Sequence, residues 1–266
     1  MSTTNVAAPI DVEAATRRLF EAQRDRREIE PLTDTWAFDE RTAYEIQKKL
    51  VAKQVEHEST RVVGLKLGLT SEAKQKQMGV HEPIYGLLLG SRYLGEGEAL
   101  VVSSLIHPKV EPEIAVFTAA PLAGPGVTAD QARKAIAFAT PAMEVIDSRY
   151  KDFRFTLTDV IADNTSAARF VIASRRIAAA SVDLRTAGVV FEKNGEVVST
   201  AAGAAILGDP AEAVAWLANK LAEHGESLAA GTTIMAGSLT DAVSVAPGDI
   251  LTVTIAQLGS LTLRCV

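Results

Sequence analysis

KVEPEIAVF, residues 109–117, sets two glutamates two positions apart inside a run that otherwise has the apolar and β-branched content of a buried strand. In extended backbone successive side chains alternate faces, so Glu111 and Glu113 share one face while Val110, Ile114 and Val116 take the other. Two like charges side by side against a core are unfavourable unless a cation or a proton compensates them. PAMEVIDSRY, residues 141–150, repeats the oddity, with Glu144 set among Ala142, Met143, Val145 and Ile146. Three glutamates from two strands form an oxygen-only donor set, which suits a hard divalent ion such as magnesium or manganese better than zinc or copper. The spacing is equally consistent with glutamates on a solvated strand face, or paired with Lys109 or Arg149.

VVGLKLGLTS, residues 62–71, raises the same question with the opposite charge. Lys66 is flanked by Leu65 and Leu67 and framed by Gly64 and Gly68, which allow close approach of backbone or ligand. Such a lysine can stabilise a developing enolate oxygen or carry a proton, or it can be a surface lysine on an edge strand. DVIADNTSAARF, residues 159–170, gathers Asp163, Asn164, Ser166 and Arg169 after an apolar stretch. Clusters of Asp, Asn and Ser favour turns and caps, whereas Arg169 has the fork geometry that grips a carboxylate. The four histidines, His81 and His107 among them, show no metal-ligand spacing. Nucleophile-elbow, phosphate-loop and dinucleotide fingerprints are absent.

Around these runs the chain divides in two. Residues 11–30 and 39–57 carry helix formers with apolar residues at helical spacing, separated by Pro31, and predict a helical segment over residues 1–60. From Val62 the texture changes to short apolar runs broken by Gly, Pro, Asn and Asp, predicting a strand-rich body over residues 61–266. VVFEKNGEVVST reads as a hairpin turning at Asn194-Gly195, and DILTVTIAQ and SLTLRCV as a terminal antiparallel pair. One helix is expected to interrupt the body, starting at Asp209-Pro210 and stopping at Gly225. Of 266 residues, 47% are hydrophobic and 23% charged, which fits a globular core; the net charge of −6 disfavours a nucleic-acid partner. A single cysteine, Cys265, excludes an intrachain disulfide and a thiolate metal cluster and fits a reducing cytoplasm. No run of about 18 apolar residues predicts a membrane span.

Taken together, GLKLGLTSEAKQKQMGVHEPIYG, LIHPKVEPEIAV, MEVIDSRYKDFRF, VIADNTS and GAAILG resemble the 4-oxalocrotonate decarboxylase and 2-hydroxypentadienoate hydratase group of the fumarylacetoacetate hydrolase superfamily, from about residue 35 to the end. The resemblance implies an α+β protein: a mixed β-roll carrying an N-terminal helical segment. It also implies magnesium, with manganese as the second candidate, on Glu111, Glu113 and Glu144, and catalytic Lys66 in proton transfer or enolate stabilisation. Three local features resemble the decarboxylases more than the hydratases. Hydratases resemble PDFG where Pro83-Ile84-Tyr85-Gly86 stands, IHPK and DSRYKDFRF look decarboxylase-like, and Arg169 replaces an apolar residue. The expected reaction is decarboxylation of the dicarboxylate 2-oxohex-3-enedioate to 2-hydroxypenta-2,4-dienoate. Arg169, Ser166, Ser238, Ile84 and Leu67 are then the expected substrate contacts. The alternatives are a 2-oxopent-4-enoate hydratase on the same metal and lysine, an acylpyruvate hydrolase, or a weakly catalytic partner shielding a reactive dienol for a hydratase. The resemblance further implies a homo-oligomer, and a complex with a hydratase of the same pathway.

Overall fold

The computed structural model describes residues 8–71, 75–76 and 79–266. In chain order the strands are β1 (Ala8–Pro9), β2 (Trp36–Ala37), β3 (Val62–Gly68), β4 (Ile84–Leu89), β5 (Tyr93–Leu94), β6 (Ala99–Leu100), β7 (Lys109–Thr118) and β8 (Ile136–Ile146). They continue as β9 (Ala167–Ile172), β10 (Ile177–Ala178), β11 (Gly188–Lys193), β12 (Glu196–Ala202), β13 (Thr233–Ser238), β14 (Val243–Ser244), β15 (Ile250–Ile255) and β16 (Gly259–Cys265). Among the described residues the α-helices are α1 (Val12–Arg24), α2 (Glu40–His57), α3 (Ala129–Ala135), α4 (Leu157–Ala162) and α5 (Pro210–Glu223).

Sequence chemistry explains the helix limits. Asp11 and Asp39 cap α1 and α2 through Ala14 N at 3.0 Å and Thr42 N at 2.8 Å, satisfying donors that the first turn leaves free. α1 stops at Arg24 rather than running on to residue 30, because Arg26 turns to φ 51°. More than the one expected helix interrupts the strand-rich body: among the described residues, besides α5, the short α3 and α4 each start on a threonine capping box, at Thr128 and Thr156.

The order β4-β3-β13-β7-β8-β9-β5 forms a mixed sheet, with β10 beside β8 and β14 beside β7. A second sheet runs β12-β11-β15-β16-β6 and contains both hairpins read from the sequence. The tight turn between β11 and β12 uses Asn194 and Gly195 at φ 56° and 82°. One apolar cluster runs from Ala15 and Leu19 of α1 through Val110 and Val145 to Cys265, so the helical segment and the strand-rich body share a core. A smaller cluster, Leu88, Ala115, Phe117, Ala142, Phe170, Ile172 and Met235, covers the opposite face of the mixed sheet. By strand alternation this is the face that also carries Glu111, Glu113 and Glu144.

Candidate metal and active site

β7 and β8 pair antiparallel with Glu111 opposite Glu144 and Glu113 opposite Ala142. Residues paired in this way share a face, and the register brings one carboxylate oxygen from each of the three glutamates within 4.8 Å of the others. Glu113 and Glu144 are wholly buried, and Glu111 is 8% exposed. β3 lies between β4 and β13, which places Lys66 opposite Gly86 on one side and Met235 on the other. The edge-strand reading of Lys66 therefore fails. Its side chain is buried, with Nζ 2.9 Å from Glu144 Oε2 and 3.1 Å from the carbonyl oxygen of Thr165. Arg149 and Lys109, the other cations considered for these glutamates, go elsewhere: Arg149 to Asp163, and Lys109 over the Phe153 ring at 4.1 Å.

The Thr165 carbonyl is delivered by a turn in which Asn164, Thr165 and Ser166 all have left-handed φ, at 47°, 52° and 58°. Such backbone costs an L-residue roughly 1–2 kcal/mol, so surrounding contacts must hold it. Asn164 does so by acting as a substitute strand: its Oδ1 accepts from Leu87 N at 2.8 Å, and its Nδ2 donates to Leu87 O at 2.9 Å. Gly86 lets the turn lie against β4, because a Cβ there would sit 2.3 Å from Thr165 Oγ1. A second glycine, Gly237 at φ 110°, presses against Thr70 and donates its N–H to Glu113 Oε2 at 3.0 Å.

Burial pushes the Glu113 carboxyl well above the usual carboxylate range, and the charge on Glu144 adds to the effect while Lys66 opposes it. Burial also raises Glu144, with Lys66 as the main opposing influence. One lysine thus offsets only part of the negative charge the three carboxylates would carry. Among the described residues, Glu113 Oε1 and Glu144 Oε1 are buried without a hydrogen-bond partner. Orphaned, convergent carboxylate oxygens fit a hard divalent cation such as magnesium, whose charge would remove the burial penalty.

The expected substrate contacts divide. Ile84 pairs with Gly68 and lies on the Lys66 face, and Ser238 pairs with Glu113. Ser238 also helps line a cavity of about 310 Å³ with Ser199, Thr200 and Asp241, though its hydroxyl donates to Thr240 O. Ser166 follows Thr165 in the left-handed turn, buried and, among the described residues, with no hydrogen-bond partner for its Oγ. Leu67 is turned away from Lys66 and packs in the main core. Arg169 pairs with Val145, and this register puts it on the opposite face from Glu144, whose partner is Phe170. Sequence reasoning did not single out Thr165, Gly237 or the buried Arg149–Asp163 pair. Asn164 was visible only as part of a turn-prone cluster. His107 lies in a hydrogen-bonded setting away from the three glutamates: its ring meets Ser148 O at 2.7 Å and Glu28 at 2.8 Å.

The fumarylacetoacetate hydrolase C-terminal family model matches residues 61–266, and the chain belongs to that family. A 4-oxalocrotonate decarboxylase of Pseudomonas putida is 51% identical over 224 residues, 84% of each chain. A 2-keto-4-pentenoate hydratase of Burkholderia vietnamiensis is 40% identical over 245 residues, 92% of this chain and 93% of that one. The solved 4-oxalocrotonate decarboxylase of Pseudomonas putida G7, complexed with magnesium and adipate, superposes with a TM-score of 0.93 at 45% identity. That match covers 97% of this chain and all of the solved one.

Proposed function

We propose that this chain decarboxylates 2-oxohex-3-enedioate to 2-hydroxypenta-2,4-dienoate, using Mg²⁺ held by Glu111, Glu113 and Glu144. The observation that carries the reading is the convergence of three largely buried carboxylates on a buried lysine. The named decarboxylases at 51% and 45% identity select this chemistry within the family. Loss of CO₂ from this vinylogous β-keto acid breaks the bond to the distal carboxylate and leaves an electron pair delocalised to the 2-oxo oxygen. A divalent cation held by Glu111, Glu113 and Glu144 would supply Lewis-acid stabilisation of the developing negative charge. Lys66 Nζ adds a fixed positive charge and a proton source beside the carboxylates, in a site closed to bulk water. Ile84 gives an apolar wall that strips water from the departing carboxylate, and Ser166 and Ser238 offer hydroxyls for the substrate's polar end.

In this reading residues 61–266 form the catalytic domain and residues 1–60, of which 1–7 lie outside the described residues, form a helical segment. The enzyme works in the cytoplasm as a homo-oligomer that associates with a hydratase of the same pathway. The free, buried Cys265 fits a reducing compartment, and among the described residues no helix is long and apolar enough to cross a membrane. Gel filtration and co-purification with a hydratase check the assembly.

The testing experiment is an ultraviolet assay with 2-oxohex-3-enedioate and with 2-hydroxypenta-2,4-dienoate, each with magnesium and with chelator. Chelator-sensitive CO₂ release from the first substrate is the expected result. Water addition to the second substrate alone makes the chain a hydratase and overturns the reading.

A further inference from the structure

A cavity of about 410 Å³ lies beside Arg169, between the first two helices and the face of the mixed sheet turned away from the glutamates. Four arginines, Arg24, Arg26, Arg92 and Arg169, line it against two carboxylates, Glu58 and Asp147. Both carboxylates are already engaged. Glu58 holds Arg92 and Ser91, while Asp147 accepts the backbone N–H groups of Ile106 at 2.9 Å and His107 at 2.7 Å. Arg24 is paired with Asp25 at 2.7 Å.

Two guanidinium groups are left over. Arg26 donates to Ser103 O at 2.9 Å and Arg169 to Ala168 O at 2.8 Å, and among the described residues neither has a carboxylate within ion-pair distance. Arg169 is half-buried, and burial, followed by the neighbouring Arg92, pulls its pKa below the ordinary arginine value. Four guanidinium groups against two carboxylates around one cavity are notable in a chain of net charge −6; Arg26 is exposed, whereas Arg169 is partly desolvated, and a partly desolvated guanidinium without an ion-paired anion is costly. Phe20 and Leu105 supply apolar wall between the charges.

We propose that this cavity is a second ligand site, separate from the metal centre, which binds a small organic dicarboxylate. One carboxylate occupies the Arg169 fork, the other end reaches toward Arg26, and the carbon chain lies along Phe20 and Leu105. A planar guanidinium with several unused donors suits a bidentate carboxylate, and the apolar walls favour a carbon-bodied dianion over inorganic phosphate. The assignment does not depend on which reaction the metal site performs.

Calorimetric titration with adipate, on magnesium-loaded and on chelator-treated protein, tests it. The expected result is a binding event that survives chelator and weakens at least tenfold in both Arg169→Gln and Arg26→Gln. Turnover at the metal site remains in the variants. Arg169→Lys, which keeps the charge and loses the fork, should bind adipate less tightly than the parent and guards against misfolding of the glutamine variant. Absence of any chelator-resistant adipate binding, or binding unaffected by all three substitutions, overturns the site. Inorganic phosphate binding as tightly as adipate, with the same Arg169 dependence, overturns the dicarboxylate assignment.

Discussion

Lys66 Nζ stands 2.9 Å from Glu144 Oε2, with both side chains almost fully withdrawn from water. The contact joins the one buried cation of the β3 strand to a residue that is also a metal-ligand candidate. The lysine is therefore held in place before substrate arrives, by Glu144 on one side and the Thr165 carbonyl on the other.

Replacing Lys66 should consequently reduce chemistry more than metal binding. Lys66→Met fills much the same volume but removes the charge and the proton. The expected loss in kcat is about 10²- to 10⁴-fold, the range for removing a positioned proton-transfer group, with Mg²⁺ affinity changed far less. Steady-state kinetics and a magnesium titration of the same preparation measure both. A variant with parental kcat removes Lys66 from the reaction.

Glu113→Gln separates the ligand role from a structural one. Glutamine can still accept the Gly237 N–H but buries no charge, so the metal-free variant should be at least as stable as the metal-free parent. Its affinity for Mg²⁺ should fall by more than the roughly 10- to 100-fold cost of losing an outer-shell partner. Thermal melts with and without Mg²⁺ read both quantities. A variant that Mg²⁺ stabilises as strongly as the parent excludes Glu113 from the ligand set.

The raised carboxyls of Glu113 and Glu144 give the metal effect a pH dependence of definite sign. A carboxyl whose folded pKa exceeds its unfolded value of about 4.3 binds its proton more tightly in the folded chain. Its stabilising effect on the metal-free protein is therefore complete below the unfolded value, and it is lost as pH rises through the folded value. Mg²⁺ needs the ionised form, so its binding releases protons and competes with them. The Mg²⁺-induced rise in melting temperature should increase from pH 5 to pH 8, and the calorimetric binding enthalpy should vary with the ionisation enthalpy of the buffer. A pH-independent shift with no proton release contradicts this account.

Much of this centre was legible because its signals are local. The spacing of Glu111 and Glu113 within one strand fixes their common face whatever the rest of the chain does. Glu144 and Lys66 stand out as charges inside apolar runs, and Ile84 lies within a recognisable block. Arg169 shows the limit of the same approach. Its neighbour Phe170 pairs with Glu144, but the register between β8 and β9 turns Arg169 to the other face, and register depends on pairing with a partner strand. The left-handed turn at 164–166 was equally hidden. Asn164 is a residue type that tolerates positive φ, but Thr165 and Ser166 are not, and the contacts that hold the turn come from Leu87 and from Gly86 on a distant strand.

The Arg149–Asp163 pair should be the most sensitive support of that turn. Both side chains are about fully buried, with Arg149 Nε on Asp163 Oδ1, Nη1 on Asp147 O at 2.7 Å and Nη2 on the Asp163 carbonyl. Asp163 immediately precedes Asn164, so the pair ties the end of β8 to the start of the turn that presents the Thr165 carbonyl to Lys66. Asp163→Asn leaves a buried guanidinium without its counter-charge, which costs about 3–5 kcal/mol. The urea midpoint should fall accordingly, with kcat reduced beyond any loss of folded protein because Lys66 loses its fixed acceptor. Replacing both residues with apolar groups of similar volume should recover much of the stability while leaving kcat low. If the single variant unfolds at the parental midpoint, or the stabilised double variant turns over normally, the pair has no part in positioning the turn.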